Sequence, residues 1–390
     1  MADRIVAVER ALRGAAPHEL LDSVRTALTE HFGASAVDLL MADYAMTILQ
    51  PVDVLPYTAQ PLSVHTSPPG RALGAQRPHV VTDDPPSAVT AHLPVTVRGD
   101  RLGVLSVTLP ADRYSPRALD ELEEIADVLG REIVVAERDT DLYLQARRAD
   151  RLTLAAEMQW QLLPGRACSR AEYSLGGQLE PAYAIHGDNF DWSASADHLT
   201  LTVTNGMGEG IEAALLTNLA VNALRNARRA GLDLVGQASL ADQALYGHYE
   251  GAAHLSALLL RFHLATGRVD LIDAGSPKIW RLRGGTVELI EPEAQLPLGM
   301  FEDTAYTVER FDILPGDRLL FISDGVYDVA SPGGERYREG ALARAMRDTR
   351  LLPPSHVPRT MLEELAGHRG RSRADDDAMI VCLDWYGRTS

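Results

Sequence analysis

The chain runs to 390 residues, long for one domain and comfortable for two, and its 37 Lys and Arg against 54 Asp and Glu leave a net charge of −17, which argues against a phosphate-backbone partner. Two cysteines, Cys168 and Cys382, are too few for a disulfide framework or a cysteine-rich metal site and suit a reducing compartment. The opening "MADRIVAVERALRG" mixes charge into its apolar residues and does not read as a signal peptide, and no apolar run approaches the ~20 residues of a membrane span, so the expectation is a soluble cytoplasmic protein.

In chain order, "VAVERALRGAAPHELLDSVRTALTEHF" carries apolar residues at helical spacing, and Gly33 stops it. "SAVDLLMAD" and "AMTILQPV" read as strands, and "PPGRALGAQRPHVVTDDPPSAV" as a loop-rich crossover. "AHLPVTVRGDRLGVLSVTL" is a hairpin with Gly99-Asp100 at its turn. "SPRALDELEEIADVLGREIVVAERD" is a helix with Ser115 as N-cap and Pro116 in its first turn. This pattern, and the hairpin above all, resembles a GAF domain over residues 5–137. The resemblance implies an α/β sensor module. The absence of Cys from this half excludes a cysteine-linked chromophore, and the alternative is a GAF-like fold that only packs or dimerises.

Residues 138–165 are expected to form a linker helix. From "IVVAERDTDLYLQARRADRLTLAAEMQWQLLPG" no Pro or Gly interrupts until Pro164-Gly165. Leu142, Leu152, Ala155, Met158 and Leu162 make an apolar seam that calls for a partner helix. A homodimer through residues 131–163 is the expectation; a spacer helix or packing on the next domain are the alternatives. The basic runs "QARRADR" and "RNARRAG" sit in helical pattern and read as solvated faces.

The second module, residues 166–386, begins with three strands in "EYSLGGQLEPAYAIHGDNFDWSASADHLTLTVTNG", turning at "HGD" and "SAD". Two helical stretches follow, "GIEAALLTNLAVNALRNARRAGL" and "GQASLADQALYGHY". Strands return in "HLSALLLRFHL", "RVDLIDAG", "KIWRLRGG", "TVELIE" and "DRLLFISDG"; two more helices lead to a last strand, "DDAMIVCLDW". Strands at both ends with paired helices between and after them predict an α+β sandwich of two antiparallel sheets covered by helices.

Four side chains stand at strand-to-loop corners: Asp188 in "HGDNFD", Asn205 in "TNGMG", Asp324 in "ISDGVYD" and Asp376 in "RADDDAM". Oxygen donors without His or Cys point to a hard cation, Mg²⁺ or Mn²⁺. An Asp-Gly pair taken singly is more often a turn than a ligand; the ordered set carries the reading.

In that order, "PAYAIHGDNFDW", "VTNGMGEGIEAALLT", "IDAGSPKIW", "LPGDRLLFISDGVYD" and "DDDAMIV" resemble the SpoIIE-type branch of the PPM protein serine/threonine phosphatases, over residues 150–386. The resemblance implies a sandwich of α-β-β-α layers holding two Mn²⁺ or Mg²⁺ ions, and a metal-bridging water that attacks phosphoserine or phosphothreonine. It casts Asp188, Asp324 and Asp376 as metal-site carboxylates and catalytic residues, and has Gly206 offer its carbonyl oxygen to one metal. Asp375 and Asp377 remain alternatives to Asp376 as ligand.

Asn205 departs from the pattern, since active relatives place there an Asp that bridges both metals. A neutral amide removes one charge from the pair, which predicts weak binding of the second ion. Met207 occupies a slot that is His in some relatives, so the resemblance names no proton donor; His186 is a candidate by proximity, against a loop histidine without a catalytic task. The implied function is hydrolysis of a phosphoserine signalling protein, such as an anti-anti-sigma-like regulator. The alternatives are a pseudophosphatase disarmed by Asn205 and a sensor-scaffold. No nucleic-acid or membrane partner is expected.

Overall fold

The computed structural model describes residues 2–53, 61–82, 87–149, 152–180, 185–370 and 375–388. The chain divides into two compact units, Met1–Arg151 and Leu152–Ser390.

In the first unit, helices α1 (Ala2–Gly14) and α2 (Leu20–Phe32) lead into strands β1 (Ala36–Ala42), β2 (Ile48–Pro51) and β3 (Leu62–Ser63). Helix α3 (Pro68–Ala75), strands β4 (His79–Thr82), β5 (Ala88–Val97) and β6 (Asp100–Pro110), and helices α4 (Pro116–Ala136) and α5 (Leu142–Ala146) complete it. The strands form one six-stranded antiparallel sheet in the order β3-β2-β1-β6-β5-β4. Alternation divides its faces: Leu39, Met41 and Val107 pack with α1, α2 and α4, whereas Leu40, Ala42 and Val104 pack with Leu73 of α3. The expected single N-terminal helix breaks between Gly14 and Pro17, and Ser67 caps α3 inside the segment read as loop.

The second unit opens with helix α6 (Leu154–Leu162), then β7 (Ala167–Ser169), β8 (Tyr173–Glu180), β9 (Asn189–Ala194) and β10 (His198–Asn205). Helices α7 (Gly210–Arg229) and α8 (Leu234–Tyr249) follow, then strands β11 (Ser256–His263), β12 (Arg268–Ala274), β13 (Lys278–Arg283), β14 (Thr286–Ile290), β15 (Glu309–Asp312) and β16 (Arg318–Ile322). Helices α9 (Asp324–Tyr327), α10 (Ala341–Asp348) and α11 (Val357–Arg369) and strand β17 (Ala378–Trp385) close the chain. Two antiparallel sheets result, β15-β12-β11-β10-β9 and β14-β13-β16-β17-β8-β7.

The central strands β16 and β17 are covered on both faces and read as apolar runs, as "LLFI" and "MIVCL" do. Leu258, Leu260 and Phe262 of β11 meet Leu319 and Phe321 of β16 between the sheets. The alternate residues Ala257 and Leu259 pack under α7 and α8, and Leu320 and Ile322 under α10 and α11. This is the α-β-β-α sandwich expected from the sequence.

The linker differs from its expectation. Within 138–165, whose residues 150 and 151 lie outside the described ones, two short helices, α5 and α6, stand in place of one, and Thr153 starts α6 anew by accepting the Ala156 N–H at 3.2 Å. The seam is divided between the units: Leu142 packs on the first core, Ala155 and Leu162 are buried in the second unit, and Leu152 and Met158 are half-buried. The ground for a homodimer through one paired helix therefore falls away.

Candidate metal centre

The site lies where four strands end. Asp188 immediately precedes β9 and Asn205 closes β10, and their strands pair with Thr204 opposite Asn189. Asp324 follows β16 across Ser323, and Asp376 and Asp377 immediately precede β17, with Ile322 opposite Ile380. Each sheet thus contributes two of the corners. The Asn205 amide donates a hydrogen bond to Asp324 Oδ1 across the gap between the sheets.

The three adjacent acidic residues in "DDDAM" take different positions. Asp377 is fully buried, and its Oδ2 accepts four bonds: from the backbone N–H groups of His186 (3.0 Å), Gly187 (3.0 Å) and Asp188 (3.3 Å) and from the Gln159 amide (2.8 Å). It clamps the loop that presents Asp188. Asp376 is partly exposed, with Oδ1 accepting the Asp377 N–H at 2.8 Å and lying 3.8 Å from His186 Nδ1. Asp375 is exposed.

Asp188 is the most costly group at the site. It is 1 % exposed, and neither carboxylate oxygen has a hydrogen-bond partner among the described residues. Burial pushes its pKa well above the ordinary carboxylate value, and the Asp377 charge adds to the effect. The neighbouring Ser323 hydroxyl eases it, but that hydroxyl is engaged with the Asp377 carbonyl at 3.4 Å and the Met379 N–H at 3.1 Å. Burial, then the Asp324 charge, raises Asp376 to about 6, with His186 acting in the opposite sense. A buried anion without donors calls for a cation or a proton.

Close backbone approaches fix the corners. A Cβ on Gly206 would lie 2.7 Å from the His186 carbonyl oxygen and 2.9 Å from Thr217 Oγ1, and one on Gly325 would lie 2.0 Å from the Asp377 carbonyl oxygen. Only glycine fits either place. Thr217 of α7 also donates to the Gly187 carbonyl at 2.7 Å, and the Gly210 N–H to the Ile185 carbonyl at 2.7 Å. The glycine-rich turn is therefore a packed corner. Met207 stands half exposed at its rim. The turn of "IDAGSPKIW" is tied to α9 by the Tyr327 hydroxyl, which donates to the Ser276 carbonyl at 3.1 Å.

Asp188, Asn205, Gly206, Asp324 and Asp376 thus flank one corner of the sandwich, with His186 beside them. They do not form a finished chelate: among the described residues, no three His, Cys, Asp or Glu side chains are drawn together closely enough to hold a metal ion. Two features were not anticipated from the sequence. Gln159 reaches the site from α6, and Asp191 receives Arg225 at 2.8 Å and Arg228 at 3.0 Å, fastening β9 to α7. The only sequence signal for Gln159 is an amide among the apolar residues of that helix.

A helix-covered double sheet with acidic corners at one end is the arrangement that the resemblance to the PPM, or PP2C, phosphatase domains implies. Residues 195–386 match the family described as Stage II sporulation protein E (SpoIIE). Over 206 residues the chain is 25% identical to phosphoserine phosphatase RsbP of Bacillus subtilis, a match covering 51% of this chain and 49% of RsbP. It is 20% identical over 243 residues to phosphoserine phosphatase RsbU of the same organism, covering 62% of this chain and 71% of RsbU. The chain therefore spans about half the length of RsbP. The solved structure of the RsbU and RsbW domains of Rv1364c from Mycobacterium tuberculosis matches with a TM-score of 0.50 at 23% identity, over 56% of this chain and 61% of that one. That likeness supports the sandwich fold alone.

Proposed function

We propose that the second unit is a cation-dependent protein serine/threonine phosphatase of SpoIIE type, weakened by Asn205. The observation that carries this reading is Asp188, a buried carboxylate whose two oxygens have no hydrogen-bond partner among the described residues. The charges of Asp376 and Asp324 act on it, and Asn205 and Gly206 stand at the end of the strand that pairs with β9. This donor set fits a hard cation, Mn²⁺ or Mg²⁺, and the neutral amide fits one ion better than two. Such an ion would supply an activated water and neutralise phosphoryl charge. The chain's own part is to hold that corner rigid through Asp377, Gly206 and Gly325, and to leave it accessible beside Met207.

The name phosphoserine phosphatase, borne by RsbP and RsbU, supports phosphoserine as substrate, and a small anti-anti-sigma-like regulator is the partner class we assign. The first unit is read as a GAF-like sensor, on the strength of its antiparallel sheet with α1, α2 and α4 on one face. No described helix is long and apolar enough to cross a membrane, and we place the protein in the cytoplasm.

A second reading has its own observation. The Asn205 amide occupies Asp324 Oδ1, an oxygen that a cation would need, which favours a pseudophosphatase that binds its phosphoprotein without turnover. Calorimetric titration with Mn²⁺ beside hydrolysis of a phosphoserine peptide separates the two. Binding with turnover supports the first reading, binding of phosphopeptide without turnover supports the second, and binding of neither ion nor peptide refutes both.

A further inference from the structure

We infer that Gln159 is a positioning residue: its side-chain amide holds the Asp188 loop in the orientation that aims that carboxylate into the site. Its functional consequence rests on the phosphatase reading above; the geometry does not. Gln159 is 3% exposed and lies on α6, which begins beside the boundary between the two units. Its Nε2 donates to the Asp188 carbonyl at 2.9 Å and to Asp377 Oδ2 at 2.8 Å. That Asp377 oxygen also accepts the three successive N–H groups of residues 186–188. One amide therefore bonds both to the loop and to the carboxylate that gathers the loop.

The orientation is forced. Turning the amide over would press Oε1 against two acceptors, whereas in place Oε1 is buried without a partner among the described residues. A helix that needed only packing here would be better served by Leu or Met, because an unmatched buried acceptor is unfavourable. The amide is explained by what it grips. The other end of α6 is tied down as well: the Leu162 carbonyl accepts Arg225 Nη2 at 2.6 Å, and the same nitrogen reaches Asp191 at 2.8 Å. Helix α6 is thus bonded to the turn before β9 and to α7, the helix that follows the Asn205–Gly206 corner, and through Arg225 of α7 it is linked to β9.

The test compares Gln159→Met, which keeps the volume, with Gln159→Glu, which keeps the shape and turns a donor into an acceptor. Gln161→Ala, whose amide bonds Glu157 on the exposed side of the same helix, is the control. Amide hydrogen exchange of peptides over 185–190 and over 199–203 in β10 is read in the full chain without metal. Affinity for Mn²⁺ is read by the electron paramagnetic resonance of the free ion.

Both Gln159 variants should speed exchange at 186–188 by about tenfold or more while β10 stays protected. They should also weaken Mn²⁺ binding by about 10–100-fold, the usual effect of removing a group that orients a ligand, with Glu worse than Met. Unchanged exchange at 186–188, or an equal rise there and in β10, would overturn the inference in favour of plain packing. If the wild-type chain binds no Mn²⁺, the phosphatase reading falls and exchange alone decides the role of Gln159. Should Gln159→Glu fail to fold, Gln159→Met carries the comparison.

Discussion

Replacing Asn205 by Asp changes an NH₂ group into an oxygen and adds one negative charge where the structure places a donor against Asp324 Oδ1. Without a cation, the chain loses a hydrogen bond to a charged group, worth about 1.5–3 kcal/mol. It gains a repulsion on the order of 4 kcal/mol for two carboxylates 4 Å apart at an effective dielectric near 20. Sharing a proton between the two relieves part of this, so the apo variant should lose about 2–4 kcal/mol. At about 2–4 °C per kcal/mol for a domain of this size, that is a fall of roughly 5–15 °C in melting temperature.

With a cation present the sign reverses. The same Coulomb scale now favours the ion, and after relief of the carboxylate repulsion about 3 kcal/mol should remain, or ~100-fold in Kd. Thermal melts in EDTA and in saturating Mn²⁺, read beside calorimetric titration, should therefore cross. The variant melts below wild type without the ion and gains more from it. Hydrolysis of a phosphoserine peptide should rise with occupancy. An Asn205→Asp variant that melts no lower in EDTA and binds Mn²⁺ no tighter than wild type would show that this corner does not hold the ion.

The sandwich was legible because its strands are buried on both faces and separated by glycine-rich or polar turns. "RLLFI" and "MIVCL" leave little choice of structure, and alternation then assigns Leu319 and Phe321 to one layer and Leu320 and Ile322 to another. Short polar elements were not legible: β15 is "ERFD", held at the sheet edge by β12 rather than by its own pattern. The linker misled for a physical reason. An apolar seam marks only that a face is buried, and Leu142 and Ala155 are buried by different cores.

At the site, chain order brought the four corners together on paper, and the sheet register brings them to the same ends of paired strands. Which of three consecutive Asp residues would face a cation depends on one turn, and the bonds to Asp377 Oδ2 distinguish it from Asp376 only in three dimensions. Gln159 lies 218 residues before the oxygen it grips, and such a pairing leaves almost no local trace.

Three further expectations bear on the same corner. Gly206→Ala places a methyl 2.7 Å from the His186 carbonyl oxygen; urea unfolding should show a loss of about 1–3 kcal/mol, and a loss under roughly 0.5 kcal/mol would mean that this backbone yields. Asp191→Ala strips a buried carboxylate from Arg225 and Arg228 and should cost about 3 kcal/mol by the same measurement, whereas a neutral result would remove that cluster from the framework. The last concerns pH. Asp188 and Asp376 both hold their protons more tightly in the folded chain than in the unfolded one. The apo protein therefore gains stability from them at low pH and loses it as pH rises through the ordinary carboxylate value toward the folded one. For Asp376 that window runs from 3.8 to about 6. A shift of that span corresponds to roughly 3 kcal/mol in a dry site, but solvent reaches 37% of the side chain, so on the order of 1 kcal/mol should survive screening. In EDTA, the stability of Asp376→Asn relative to wild type should rise by that amount between about pH 4 and pH 7. Asp188→Asn should gain further and keep gaining to higher pH, because burial raises Asp188 well above its ordinary value. Parallel profiles for wild type and both variants would mean that the two carboxylates are already balanced, and a site without excess negative charge has no need of a cation.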